Sequence, residues 1–166
     1  MDKPSAFLDR DGVINKDNGY VHSIKEFEWI DGAIETIKFI KSKGYQIFVI
    51  TNQSGISREF YTSEDVILLH QYINNELRKK NTLIDDFFFS PYHPEIKNKK
   101  YEHLESLRKP NIGMLKLAEL KWGVDKSKSF LIGDQETDIQ CAKNYGIKGY
   151  LFNKINLFEF ISGINI

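Results

Sequence analysis

Short apolar runs alternate along the chain with longer segments in which apolar residues recur at helical spacing. The apolar runs predict five strands, at residues 6–8, 45–50, 87–89, 129–132 and 149–152. The helical spacing predicts four helices, at residues 31–44, 63–80, 112–121 and 138–145. Because a helix follows each strand in turn, we expect an α/β fold with a doubly wound parallel sheet.

Two segments do not fit this alternation. Residues 15–29 carry scattered apolar side chains and an Asn18-Gly19 turn signal, which predict a loop or a short hairpin over the end of the first strand. Residues 90–108 are polar and rich in lysine, and we interpret them as a small cap-like insertion. After the last strand, a short apolar tail around residues 158–161 is expected to pack near the core.

Length, charge and cysteine content limit the classes of protein to which the chain can belong. The 166 residues are expected to form one domain over 1–166. Lysine plus arginine and aspartate plus glutamate both number 23, so the net charge gives no support for a nucleic-acid or membrane-surface partner. The single cysteine, Cys141, excludes an internal disulfide and fits a reducing compartment. With no signal-peptide pattern and no apolar run that could cross a bilayer, we expect a cytoplasmic monomer.

Polar side chains cluster where the predicted strands end and at the start of one predicted helix. These residues are Asp9, Asp11, Thr51, Asn52, Arg108, Lys109, Asp134 and Asp138. In a parallel sheet the carboxyl ends of the strands meet at one edge, where ligands bind. A turn or a helix cap could explain each residue taken alone, but not all of them together in this order. We therefore expect them to form one site.

The two leading aspartates have the chemistry of phosphoryl transfer to water. Asp9 can attack phosphorus and form an aspartyl phosphate. Asp11, two residues later, can protonate the leaving alkoxide and then deprotonate the attacking water. Lys109 would neutralise the cluster of aspartates and orient Asp9. Thr51 would take part in catalysis by holding a phosphate oxygen.

A divalent cation completes this set, because carboxylates gathered at one place are costly without one. Mg²⁺ prefers hard oxygen ligands. Asp9, Asp11 (through a backbone carbonyl near it) and Asp134 are the predicted metal ligands, and Asp138 either binds the metal or supports its ligands. Asn52 would hold phosphate oxygens beside the cation.

Four of these polar motifs, taken in order, resemble those of a known family. The motifs are Phe-Leu-Asp9-Arg10-Asp11-Gly-Val-Ile-Asn, Thr51-Asn-Gln-Ser-Gly-Ile, Arg108-Lys109-Pro and Gly133-Asp134 with Asp138 four residues on. They resemble the four ordered motifs of the haloacid dehalogenase superfamily phosphatases. The segments Asp17-Asn-Gly-Tyr20 and Pro91-x-His-Pro94 make the resemblance closest to the heptose-1,7-bisphosphate 7-phosphatases and histidinol-phosphate phosphatases, over roughly residues 5–145.

The resemblance implies a Rossmann-like core without a large cap domain, Mg²⁺ dependence, and removal of the 7-phosphate of a heptose bisphosphate in nucleotide-activated heptose synthesis. Arg108 and the loop from Asp17 to Tyr20 would contact the part of this small phosphorylated sugar that lies far from the reacting phosphate. The full set of implied substrate contacts is Arg10, Asp17, Asn18, Gly19, Tyr20, Asn52, Gln53, Ser54 and Arg108.

Two departures from the family pattern change the expectations. Members often carry a zinc loop with Cys-x-His and Cys-x-Cys before Arg-Lys-Pro, but the matching positions here are Ser90, Tyr92, Glu105 and Leu107. A tetrahedral zinc site cannot be built from them, so we expect no structural zinc and a loop held by other contacts, such as those of Tyr92 and Tyr101. His93 and His103 are interpreted as loop residues. Gln135 replaces the lysine that usually follows Gly-Asp.

Two alternative functions stay open. The chain could be a phosphatase of the same class acting on histidinol phosphate or another sugar phosphate. It could also be a phospho-accepting switch, because receiver domains combine an acidic cluster, Mg²⁺, a hydroxyl residue and a lysine on a doubly wound sheet. Receivers, however, place the accepting aspartate on a middle strand after an earlier acidic pair. Here the first strand leads directly into Asp9, which favours the phosphatase.

Overall fold

Five strands form one parallel sheet, and β1 lies at its centre. The computed structural model describes residues 1–166. The strands are β1 (Ser5–Leu8), β2 (Gln46–Asn52), β3 (Asp86–Ser90), β4 (Phe130–Gly133) and β5 (Lys148–Leu151). Their order in the sheet is β3-β2-β1-β4-β5, and every neighbouring pair is parallel. The expected α/β fold is confirmed.

An α-helix follows each strand along the chain. The helices are α1 (Ala33–Ser42), α2 (Ser63–Arg78), α3 (Gly113–Trp122), α4 (Glu136–Tyr145) and α5 (Leu157–Ser162). Helix α2 begins with a capping box, in which the Thr62 hydroxyl accepts from the Asp65 N–H and the Asp65 carboxylate accepts from the Thr62 N–H. Helix α4 begins two residues before the predicted start at 138, because the Asp138 carboxylate accepts from the Gln135 N–H and caps the first turn.

The core lies on both faces of the sheet. From β1, Ala6 and Leu8 point into a cluster of 19 buried residues that includes side chains of α1, α2 and α5. Phe7 points into a second cluster of 12 buried residues, which α3 and α4 complete. Alternate residues of a strand face opposite sides, so this distribution is that of a doubly wound sheet.

Three segments outside the sheet differ from the simplest expectation. Residues 15–29 form the loop of the two expected alternatives, closed at its base by a single antiparallel bridge between Asn15 and Trp29. The Glu26 carboxylate accepts from the His22 and Ser23 N–H groups midway along this loop. The apolar tail forms α5, which the Asn156 side chain caps and which packs on α1. Residues 90–108 contain a 3₁₀ helix, Glu102–Leu107. No helix of the chain has both the length and the apolar character needed to span a membrane.

The strand register brings distant residues to one edge. The Asp9 N–H donates to the Ile132 carbonyl over 3.0 Å, which continues the pairing of β1 with β4 past the end of β1. On the other side, β1 pairs with β2, so Asn52 at the end of β2 lies at the same edge. The side chains that leave these strands therefore converge, as parallel strand ends do.

Candidate active site

Lys109 joins two carboxylates at the centre of the site. Its Nζ donates to Asp9 Oδ1 over 2.8 Å, to Asp138 Oδ1 over 2.6 Å and to the Ile50 carbonyl over 3.0 Å. Burial acts to lower the pKa of Lys109, but the charges of Asp9 and Asp138 outweigh it and raise that pKa. Lys109 is therefore a permanent cation between two acids.

Asp9 is nearly buried at the end of β1, with 7% of its surface exposed. Burial raises the pKa of Asp9 well above its usual range, the Lys109 ammonium opposes the rise, and the Asp138 charge adds to it. The Arg10 N–H also donates to Asp9 Oδ1, over 2.9 Å. A carboxylate in such a place needs further positive charge to stay ionised.

Three carboxylates meet closely enough to share a cation. Oxygens of Asp9, Asp134 and Asp138 lie within 4.8 Å of one another. Asp134 Oδ1 is buried and has no hydrogen-bond partner, and burial raises the pKa of Asp134. Both oxygens of Asp138 already have partners, in Lys109 and the Gln135 N–H. The partnerless carboxylate oxygen and the all-oxygen donor set fit a hard divalent cation, with Asp138 as a support for its neighbours.

Glycines allow these carboxylates to approach the main chain. Gly12 has a φ of +85°, and a Cβ there would lie 2.0 Å from Asp134 Oδ2. A Cβ on Gly133 would lie 2.2 Å from the Asp138 Cβ. Any other residue at either position would displace an acid of the cluster, which is why both motifs contain glycine.

The Asp11 carboxylate lies outside this cluster. Oδ1 accepts from Arg10 Nε (3.2 Å) and Nη2 (3.0 Å) and from Asn15 Nδ2 (3.0 Å), and Oδ2 accepts from Gln53 Nε2 (2.9 Å). With all these donors on it, the side chain is not one of the carboxylates that meet around a cation. The expectation that Asp11 contributes a metal ligand therefore concerns its main-chain carbonyl alone.

Arg10 and Gln53 are not where a substrate could contact them. The Arg10 side chain is fully buried, and only 2% of Gln53 is exposed. Gln53 Nε2 donates to Asp11 and to Thr51 Oγ1 (2.7 Å), and its Oε1 accepts from the Tyr61 hydroxyl (2.6 Å). The structure thus corrects the expected substrate contacts of both residues, because their polar groups bond Asp11 and buried neighbours instead of facing the cleft.

The polar residues at and just after the end of β2 differ in their surroundings. The Asn52 amide bonds the main chain of Lys109 at both ends, with its Oδ1 accepting from the Lys109 N–H (3.0 Å) and its Nδ2 donating to the carbonyl (3.2 Å). Thr51 is 1% exposed, and Ser54 is half-buried behind it. Asn52 therefore holds Lys109 in place and also faces the cleft described next.

A cleft of about 300 Å³ opens over the acids, and none of its lining residues is hydrophobic. Ten residues line it: Asp9, Asp11, Asp17, Asn52, Arg108, Lys109, Asp134, Gln135, Thr137 and Asp138. Of the predicted loop contacts, Asp17 lies in the cleft, whereas Asn18 and Gly19 line a separate cavity. Tyr20 has a φ of +52° and packs edge-on against Phe60, with ring centroids 5.0 Å apart.

Arg58 lies near Arg108, and the sequence did not single it out. Its guanidinium lies 6.0 Å from the Tyr20 ring, and its Nε is buried without a hydrogen-bond partner. Burial, and then the nearby charge of Arg58, lower the pKa of Arg108. No carboxylate forms an ion pair with either arginine. Only its position just after the second motif marks Arg58 in the sequence.

The 90–108 segment is held by contacts within itself and with the rest of the fold. Arg108 Nη1 donates to the Tyr92 carbonyl over 3.2 Å, and Asn98 Nδ2 donates to the Ser57 carbonyl over 3.2 Å. Tyr101 packs on a small apolar cluster of Ile56, Tyr61 and Val66. Tyr92 and Tyr101 both take part in these contacts, Tyr92 through its main-chain carbonyl and Tyr101 through its ring.

Comparison with known proteins places the chain in a class. The family model described as "Haloacid dehalogenase-like hydrolase" matches residues 6–66, and a second, HAD-hydrolase-like model matches residues 106–154. Together the two matches span the motifs around Asp9, Thr51, Lys109 and Asp134. The fold and the site are thus those of a haloacid dehalogenase-like hydrolase.

Relatives over nearly the whole chain narrow this class. D-glycero-beta-D-manno-heptose-1,7-bisphosphate 7-phosphatase of Rhodopseudomonas palustris is 38% identical over 99% of this chain and 91% of the relative. The D-glycero-alpha-D-manno counterpart of Burkholderia mallei is 39% identical over 89% and 78%. The chain belongs to the family of heptose-1,7-bisphosphate 7-phosphatases. The resemblance seen in the motifs is confirmed, as is the enzyme class, a phosphoric monoester hydrolase.

A solved structure supports the fold. The D,D-heptose 1,7-bisphosphate phosphatase of B. bronchiseptica, crystallised with magnesium and phosphate, has a TM-score of 0.80 and 24% identity to this chain. The match covers 98% of this chain and 88% of the other. The Rossmann-like architecture extends over almost all of both proteins.

Proposed function

We propose that this enzyme hydrolyses the 7-phosphate of D-glycero-D-manno-heptose 1,7-bisphosphate through an aspartyl phosphate on Asp9, in the synthesis of nucleotide-activated heptoses. The observation that carries the proposal is Lys109 bound to both Asp9 and Asp138, next to the partnerless Asp134 oxygen, in a cleft without hydrophobic lining. The names of the curated relatives support the choice of substrate.

The reaction has two halves. In the first, an oxygen of Asp9 forms a bond to phosphorus, the bond from phosphorus to the sugar oxygen breaks, and Asp11 gives its proton to that oxygen. In the second, Asp11 takes a proton from water, the water oxygen attacks phosphorus, and the acyl-phosphate bond to Asp9 breaks to release phosphate. Lys109 holds the Asp9 side chain in place through both halves, and its positive charge offsets part of the negative charge gathered there.

Mg²⁺ is the cation we propose for the acidic cluster. Asp9, Asp134 and the main-chain carbonyl of Asp11 would hold it, with Asp138 fixing Lys109 and the start of α4 beside them. When bound, the ion neutralises the phosphate oxygens and the carboxylates that face them. The raised pKa values of Asp9 and Asp134 fit this role, because burial without a cation favours their neutral forms.

The two unpaired arginines favour a bisphosphate over histidinol phosphate. Arg108 lines the cleft, and Arg58 is close enough to lower the pKa of Arg108. A second phosphate at the far end of the substrate would offset both charges. The far end of histidinol phosphate carries an ammonium group and an imidazole, which these arginines would repel. Asp17 lies in the same cleft; its Oδ1 accepts from the Gly19 N–H over 3.0 Å, and its Oδ2 is left to accept from sugar hydroxyls.

A substrate panel with Mg²⁺ tests this proposal. It contains both anomers of heptose 1,7-bisphosphate, heptose 7-phosphate and histidinol phosphate. We expect kcat/KM to be highest for a bisphosphate, at least about 10-fold above heptose 7-phosphate, because the 1-phosphate meets desolvated arginines. A preference for histidinol phosphate would contradict the substrate, and a long-lived phosphoprotein without turnover would favour the receiver-like switch. The monomeric state and the cytoplasmic location stay predictions of the sequence.

A further inference from the structure

A buried pair, Arg10 and His70, lies behind the acid/base residue Asp11. Arg10 Nη1 lies 3.2 Å from His70 Nε2. The other side of the guanidinium faces Asp11, whose Oδ1 accepts from Nε and Nη2, and Nη2 also donates to the Val21 carbonyl. No step of the proposed reaction uses His70, and only 5% of its surface is exposed.

The fold fixes the position and the protonation of His70. The residue lies on α2, and its ring stacks on Phe87 of β3, with centroids 4.5 Å apart and planes 18° apart. An arginine has donors and no acceptor, so His70 Nε2 must be the acceptor and the ring proton must lie on Nδ1. Burial, and then the charge of Arg10, hold the pKa of His70 well below its usual value, which keeps the ring neutral.

His70 completes the set of acceptors around the Arg10 guanidinium. Asp11, Val21 and His70 accept on different sides of it, so the plane of the group is defined by all three. Without His70, Nη1 is a buried charged donor with no partner, and the guanidinium gains by turning towards another acceptor. Because Arg10 binds Asp11 through two nitrogens, such a turn would change the direction of the Asp11 carboxylate.

We propose that His70 is a positioning residue for acid catalysis: it anchors Arg10, and Arg10 orients Asp11 for proton transfer to the leaving group. This inference rests on the proposed function, since the proton of Asp11 matters only when a phosphate ester is cleaved. His70 itself contacts neither the cleft over the acids nor the Asp11 carboxylate.

The dependence on the leaving group separates positioning from a structural role. A sugar alkoxide is strongly basic and needs a proton as it departs, whereas p-nitrophenolate departs without one. The value of kcat/KM reports the steps up to departure of the leaving group. A residue that acts through Asp11 therefore affects sugar phosphates more than p-nitrophenyl phosphate, while a residue that only stabilises the fold affects both alike.

The experiment compares His70→Gln with His70→Asn in the full chain with Mg²⁺. The glutamine amide oxygen can reach the place of Nε2, and the shorter asparagine cannot, so the two variants differ in reach alone. We expect H70N to lower kcat/KM for the sugar phosphate about 10-fold or more, because a hydrogen bond to a charged donor is lost. For p-nitrophenyl phosphate we expect a several-fold smaller loss, and for H70Q at least partial recovery with the sugar phosphate.

Ile73→Val is the matched control, since Ile73 is a buried residue one turn further along α2 without a polar contact. Equal losses on both substrates in H70N, or no difference between H70N and H70Q, would overturn the inference. If the wild type cleaves no sugar phosphate, the proposed function fails. The comparison of phenyl phosphate with p-nitrophenyl phosphate, whose leaving groups differ in basicity, then still decides the role of His70.

Discussion

Lys109 Nζ and Asp9 Oδ1 are 2.8 Å apart although their residues are separated by 100 positions in the chain. Lys109 is 3% exposed and Asp9 is 7% exposed, so the pair is screened little by water. The same ammonium holds Asp138 Oδ1 at 2.6 Å. One ammonium group thus holds together two buried carboxylates, one at the end of β1 and one in the first turn of α4. Several consequences of this arrangement can be measured.

Asp9→Asn is expected to abolish turnover while the fold persists. Asparagine keeps the shape of the side chain but cannot form the acyl phosphate, so kcat/KM should fall at least about 1,000-fold. Phosphate release and far-UV circular dichroism measure the two outcomes. Glu35→Gln, on the exposed face of α1, serves as the control. Substantial activity in D9N would remove Asp9 as the nucleophile.

Lys109→Met should destabilise the fold strongly. It leaves Asp9 and Asp138 buried without their cation, and breaking a buried pair in this way costs about 3–5 kcal/mol in the free energy of unfolding. Lys41→Met removes a partly exposed pair with Asp85 and should cost about 1 kcal/mol or less. Urea unfolding without added metal compares them. Similar costs for the two variants would show that Lys109 is not the electrostatic centre.

Asp134→Asn and Asp11→Asn should separate metal binding from proton transfer. Asp134 Oδ1 has no protein partner, so D134N is expected to weaken Mg²⁺ binding about 10-fold or more. The oxygens of Asp11 have protein donors, so D11N should bind Mg²⁺ nearly as the wild type does and still lose turnover. Calorimetric titration with Mg²⁺ measures the affinities. Weaker binding in D11N than in D134N would reverse the assignment.

Arg58→Met tests the distal phosphate contact. The variant should raise KM for heptose 1,7-bisphosphate about 10-fold and change KM for heptose 7-phosphate much less, because only the former has a phosphate for Arg58. Arg78→Met is the matched control, since Arg78 is exposed on α2 and bonds only Asn75. An equal rise in KM for both substrates would place Arg58 near the reacting phosphate instead.

The neutral His70 should make stability depend on pH. In the unfolded chain this histidine titrates near 6.5, while burial and Arg10 lower its pKa well below that in the fold. Below about pH 6.5 the unfolded chain binds a proton that the fold excludes. The free energy of unfolding therefore decreases as the pH is lowered, by at most about 1.4 kcal/mol per pH unit. The other charged groups facing the ring are Arg78 and Asp86, across a surface cavity.

Urea unfolding of the wild type and of His70→Gln between pH 8 and pH 5 checks this dependence. The free energy of unfolding of the wild type should decline more steeply below about pH 6.5 than that of H70Q, because glutamine does not titrate. Parallel curves would mean that His70 takes up its proton within the fold.

The fold follows from the alternation of apolar runs and helical periods, but the ends of the elements do not. The second strand extends past the predicted end at residue 50 to Asn52, because Thr51 and Asn52 pair with Phe89 and Ser90. Polar side chains at a strand end look like a loop until the neighbouring strand is known. Pairing partners that are distant in sequence decide such ends, and local propensity does not record them.

The sequence predicts which residues come together in the site, but it does not predict what each of them contacts. Asp9, Asp11, Lys109 and Asp134 line one cleft, as the motifs led us to expect. Arg10 lies between two of them in sequence and points into the core. Ala6 and Leu8 face the same side of β1, and continuing this alternation by two residues places Arg10 on that buried side as well. Its partner His70 comes from α2, and no spacing in the sequence connects the two.

The cleft over the acids has no hydrophobic wall, and this has a consequence for inhibitors. An uncharged aromatic compound would find no apolar surface to bury there, so tight binding inside the cleft requires anionic groups or metal chelation. Such groups suit every phosphatase of this class and cross membranes poorly. A second fragment that reaches the exposed Tyr20 and Phe60 rings outside the cleft would add apolar contact and a means of selectivity.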